Sequence, residues 1–88
     1  MTDDKIRLIA EVKLDSDKYK AILFKLSVKR ENRVDIIDVW LPRKQIEMRD
    51  GQLWATPWII ERKEEELSRE TFHGEVVELA KFDGDLNG

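Results

Sequence analysis

Residues 5–14 read KIRLIAEVKL, and the fold class follows from this stretch. Ile6, Leu8, Ala10, Val12 and Leu14 alternate with Lys5, Arg7, Glu11 and Lys13. Only Ile9 breaks the period of two. Such alternation is the signature of a strand with one face buried and one face wet. The polar run Asp15-Ser16-Asp17-Lys18 then turns the chain.

A second strand follows in residues 19–29, YKAILFKLSVK. Ile22, Phe24, Leu26 and Val28 share one face. Ala21 and Leu23 make the first half of the other face apolar as well; Lys25 and Ser27 make its second half polar. A hairpin between these two strands is predicted. After the turn Arg30-Glu31-Asn32-Arg33 comes VDIIDVWL, residues 34–41. Its apolar phase changes from Val34 and Ile36 to Ile37, Val39 and Leu41. That change predicts a β-bulge near Ile36-Ile37. Pro42 ends the pairing or marks an edge.

Asp50-Gly51 is a strong two-residue hairpin turn, because its backbone needs positive φ. Short strands are expected on either side of it, within residues 45–56. Thr56-Pro57 supplies a helix N-cap and a first helical residue whose φ is already set. Ile59, Ile60, Lys63 and Leu67 fall on one face of that helix, which should end near Glu70, with Gly74 available as a stop. Residues 75–82, EVVELAKF, carry both strand and helix signals and are assigned to a strand. Residues 83–88 form a frayed tail. The expectation is one α+β domain over residues 1–88: a small antiparallel sheet of about five strands and one helix near 57–70. A half-open barrel is the variant.

Composition narrows the function. Of 88 residues, 16 are Lys or Arg and 19 are Asp or Glu, giving a net charge of −3; there is no Cys and one His. A disulfide scaffold and a thiolate metal site are excluded. None of Ser16, Ser27 and Ser68 sits on a nucleophile elbow, and no Gly-rich phosphate loop is present. His73 reads as an exposed loop residue. Glu61, Glu64, Glu65, Glu66 and Glu70 read as a solvated helix face, with a hard-cation site or a mimic of nucleic-acid phosphates as the alternatives. The chain is therefore expected to be no enzyme and to carry no cofactor or metal. No apolar run reaches the length of a membrane span, so no membrane partner is expected. Residues 1–5, MTDDK, do not resemble a secretion signal, which makes the cytoplasm the expected compartment.

The charge is segregated along the chain. Residues 18–49 hold nine basic and four acidic side chains; residues 50–88 hold four basic and ten acidic ones. The first of these predicts a basic surface centred on Arg30, Arg33, Arg43 and Lys44. Trp40, Trp54 and Trp58 are expected mainly to build the core. Trp58, out of line with Ile60 and Leu67, is the one expected at the surface as an interface anchor.

Trp40-Leu41-Pro42-Arg43-Lys44-Gln45-Ile46, followed by a hairpin, Pro57-Trp58-Ile59 and a charged helix with Lys63, resembles a class of short phage and prophage proteins. These carry a W-[LIV]-P-x-x-Q-I step and a Pro-Glu-Trp-like helix start. Here Trp58 follows Pro57 directly. The likeness spans roughly residues 20–67. It implies a mobile-element origin and attaches no chemistry to any residue. Gln45 is placed by it to bond backbone near the bend.

Three functions compete. The first is a protein-binding module, an accessory protein that inhibits or adapts a host or viral complex, such as an anti-CRISPR. Its contact residues would be drawn from Arg30, Arg33, Arg43, Lys44, Trp58, Glu61, Glu64 and Glu65. The second is a nucleic-acid binder using residues 18–49 together with Trp58. The third is a homo-oligomer that sets basic strands against the acidic helix of another copy.

Overall fold

The computed structural model describes residues 4–82. One helix and seven strands form two antiparallel sheets, an α+β arrangement that does not close into a barrel. The alternating stretch at the start of the chain is divided at Ile9 into β1 (Ile6–Leu8) and β2 (Ala10–Leu14). The residue that breaks the period is thus where the chain leaves one sheet for the other. β2 pairs with β3 (Ala21–Lys29), and β3 with β4 (Val34–Pro42). A single 3-10 turn, Arg43–Gln45, leads to β5 (Ile46–Arg49) and β6 (Gln52–Ala55), and β6 pairs with both β5 and β1. Asp50 and Gly51, at φ 51° and 77°, make the tight turn between β5 and β6 that their types predict.

Helix α1 runs Pro57–Glu70. The Thr56 hydroxyl caps it by accepting from the Ile59 amide at 3.2 Å. That hydroxyl also donates to the Gln45 side-chain oxygen at 2.7 Å, and the Thr56 amide donates to the Gln45 carbonyl at 3.0 Å. Gln45 therefore fastens the turn after β4 to the start of the helix. Its side chain meets the Thr56 hydroxyl where backbone was expected.

The segment after the helix forms only the two-residue β7 (Glu78–Leu79) and an isolated bridge from Lys81 to Leu8. It has a large structural part nonetheless. β7 pairs with the end of β3 that β2 leaves uncovered. Around the Ile9 kink the Ser27 amide donates to the Ile9 carbonyl, the Ile9 amide to the Ala80 carbonyl, and the Ala80 amide to the Ser27 carbonyl. This ring satisfies the backbone groups that a kink would otherwise strand. Residues 83–88, expected to fray, lie outside the described residues.

The inner face of β3 is buried as expected: Ile22, Phe24, Leu26 and Val28 are each at most 6% exposed. They pack with Leu8, Val39, Leu41 and Leu53 from the other strands, Ile59 and Ile60 from α1, and Val77 and Leu79.

Two expectations are corrected. No bulge interrupts β4: the register to β3 is constant from Lys29↔Val34 to Ala21↔Pro42. The change of apolar phase is met by leaving Val34 and Ile36 in solvent, 59% and 68% exposed. The one register shift in this sheet lies in β2, between Val12 and Leu14. Nor do the tryptophans build the core. Trp40 and Trp58 are exposed, Trp54 is half-buried, and the buried cluster contains none of them. Phe24 and aliphatic side chains fill it instead.

Candidate protein-binding surface

The arginines of the basic segment are engaged by groups of the same chain. Arg30 lies at the β3–β4 turn, where its amide donates to the Arg33 carbonyl at 2.8 Å. Its guanidinium reaches Asp35 at 2.6 Å and Glu75 at 2.8 Å, and covers the Phe72 ring at 4.5 Å. Two carboxylates and a ring face saturate a planar cation. The hydrogen bonds from Arg30 hold the carboxyls of Asp35 and Glu75 below their ordinary pKa, and those carboxylates push the Arg30 value up. Arg33 shares Asp35 at 3.3 Å. Arg43 donates to Asp15 at 2.7 Å and to the carbonyls of Ser16 and Tyr19, tying the β2–β3 turn to the end of β4. Of the four basic candidates, Arg30, Arg33 and Arg43 are ion-paired, and Lys44 is exposed with no carboxylate in ion-pair range among the described residues.

The acidic candidates are placed differently. Glu61, Glu64 and Glu65 lie on α1, and none has a cation within ion-pair distance among the described residues. Glu64 accepts from the Leu79 amide at 3.0 Å and so secures β7 against the helix. Glu61 and Glu65 are exposed. They border an open groove of about 800 Å³ between α1 and the segment after it. Trp58 on α1, 56% exposed, and Val76 on the segment after it, 79% exposed, both line the groove. The Arg62 guanidinium covers the Trp58 ring at 5.3 Å, and Arg69, also at the groove, is engaged by Glu70 at 3.3 Å. Beyond Val76 lies a second pocket of mixed charge, bordered by the exposed residues Lys29, Glu31 and Glu78.

The local sequence explains this geometry. His73 and Gly74 both take positive φ, at 52° and 94°, and fold the chain back along the helix. The Ser68 hydroxyl donates to the Glu75 carbonyl at 2.7 Å and holds the returning segment. Val77 then points into the core, and its neighbour Val76 must point out. Trp58 and Glu61 were marked by the sequence. Val76 was not, because an isolated valine in an ambiguous segment carries no sign of exposure.

No family model, curated protein or solved structure matches the chain. Among the described residues there is no group of three or more side chains able to hold a metal ion, and no helix long and apolar enough to cross a membrane.

Proposed function

We propose that the chain is a non-enzymatic protein-binding module whose α1 groove receives a basic amphipathic segment of a partner protein. One observation carries this reading: two exposed apolar side chains, Trp58 and Val76, line a groove whose carboxylates Glu61 and Glu65 have no cation in ion-pair range among the described residues. A partner presenting an apolar side chain between Lys or Arg residues satisfies both features. The resemblance of residues 40–46 to short phage proteins supports an accessory role, in which the segment captured belongs to a host complex. The nucleic-acid reading ranks lower because Arg30, Arg33 and Arg43 are already committed to internal carboxylates and carbonyls.

The test uses two synthetic helical peptides with the same leucine face, one with lysines on its polar face and one with glutamates. Their binding is read from Trp fluorescence at low salt. The lysine peptide should bind, weaken with added salt, and lose at least tenfold in affinity against Trp58→Ala or the pair Glu61→Lys/Glu65→Lys. Equal binding of both peptides, or an unchanged affinity in these variants, would overturn the assignment.

A further inference from the structure

The open edge of β4 is the second unpartnered feature of the molecule. The Arg30 amide donates to the Arg33 carbonyl, and the Arg43 amide to the Lys20 carbonyl. With the constant register between them, odd-numbered residues of β4 bond to β3. The amides and carbonyls of Val34, Ile36, Asp38 and Trp40 therefore point away from the sheet. β4 is nine residues long and, among the described residues, has no strand beside it other than β3.

Edge strands are normally guarded by bulges, internal prolines, lysines or short length. Residues 34–41 contain no proline and no lysine, and the register shows no bulge. The two charges on this stretch are acidic, and both are met within the chain: Asp35 by Arg30 and Arg33, Asp38 by Lys13 at 2.5 Å. An identical edge approaching this one meets no uncompensated charge.

We infer that two copies of this chain pair through β4, antiparallel, about a two-fold axis at Ile37. The register follows from the side chains. With Ile37 on the axis, Val34 faces Trp40 of the second copy and Ile36 faces its Asp38. All four outward-pointing residues then form hydrogen-bonded pairs, about eight backbone bonds in total. The Val34–Trp40 pair occurs twice, aromatic against β-branched, the favoured kind of cross-strand contact. Moving the axis to Asp38 sets two aspartates opposite each other and brings Pro42, which has no amide, into the ladder. Moving it to Ile36 pushes Trp40 against Asn32 in the turn. The Ile37 register joins the two β2–β3–β4 sheets into one, and covers the apolar side chains of Val34 and Ile36 along the seam.

Analytical ultracentrifugation of the full chain from about 5 to 500 µM tests this. A concentration-dependent shift from one to two copies is expected. Ile36→Pro should abolish it, because that proline removes only an outward amide and leaves the β3–β4 ladder intact. Ile36→Glu should do the same without touching the backbone, because it sets a glutamate opposite Asp38 of the second copy twice over, and serves if the proline variant unfolds. Hydrogen exchange adds a residue-level readout: the amides of Val34, Ile36, Asp38 and Trp40 should slow with rising concentration, and the other β4 amides should not. A chain that stays single at the highest concentration overturns the inference. So does a dimer that survives Ile36→Glu, since its seam would lie elsewhere.

Discussion

Replacing Thr56 by Ala removes a methyl group and a hydroxyl that makes two hydrogen bonds. The first is the helix cap to the Ile59 amide; the second joins the hydroxyl to Gln45. Loss of a threonine N-cap costs about 1 kcal/mol. The second bond, between half-buried side chains, contributes about 1 kcal/mol net, and its loss leaves the Gln45 oxygen without a partner. Thr56→Ala should thus destabilise by about 2 kcal/mol, and Gln45→Leu by about 1 kcal/mol. The two residues share that bond, so the double variant should cost about 2 kcal/mol, with a coupling of about 1 kcal/mol. In a domain of this size 2 kcal/mol lowers the melting temperature by about 8–16 °C. Urea unfolding followed by Trp fluorescence and by circular dichroism measures all four corners of the cycle. Thr56→Ser retains the hydroxyl and should stay close to the parent. Additive single-variant losses, giving about 3 kcal/mol in the double variant, would show that the turn after β4 and the start of α1 are energetically separate.

Phe24, fully buried, should be indispensable: Phe24→Ala costs about 3–5 kcal/mol against a total on the order of 5 kcal/mol, and should largely abolish the cooperative transition in circular dichroism. The Arg30 cluster gives a pH dependence with a defined sign. Asp35 and Glu75 have carboxyl values lower in the folded chain than in the unfolded one. Their contribution is complete above the ordinary carboxylate range of about 4 and is lost as pH falls through the depressed folded values. Melting temperature should therefore fall with acidification below that range, and Glu75→Gln should flatten the fall. Gly51 sits at φ 77° with open space where a Cβ would stand, so Gly51→Ala should cost about 1 kcal/mol from backbone strain alone, read by urea midpoint.

Local features of the fold were readable because each depends on neighbours in sequence. Alternation marked the inner face of β3, Thr56-Pro57 marked the helix start, and Asp50-Gly51 marked the turn between β5 and β6. Even the isolated irregularity at Ile9 had structural meaning, although a kink between two sheets and a simple lapse in pattern look alike in one dimension. Features that depend on distant partners were not readable. Arg30 and Glu75 are 45 residues apart, and nothing in either neighbourhood announces the pair. The phase change in β4 had two physical solutions, a bulge or an exposed apolar pair. Only the β3 register distinguishes them, since it stays unbroken and leaves Val34 and Ile36 outside. Burial of tryptophan was expected from size alone, and the core is instead filled by aliphatic side chains around Phe24.

The segregation of charge takes on a different meaning in three dimensions. Along the chain, residues 18–49 are basic and residues 50–88 acidic, as though the molecule had two poles. The Arg30–Glu75 pair joins those segments directly, and Arg33 and Arg43 turn to carboxylates near the strand ends. Arginine suits these places because its planar fork can serve several oxygens at once, which a lysine cannot do. The lysines Lys18, Lys20, Lys25, Lys29 and Lys44 are left on the surface. The acidic side is depleted less evenly. Glu75 is spent on Arg30 and Glu64 on the Leu79 amide, and both contacts fix the returning segment that lifts Val76 into solvent. Glu61 and Glu65 remain unspent beside it. The internal pairs thus build the groove, and the carboxylates that take no part in building it set the charge of what the groove can hold.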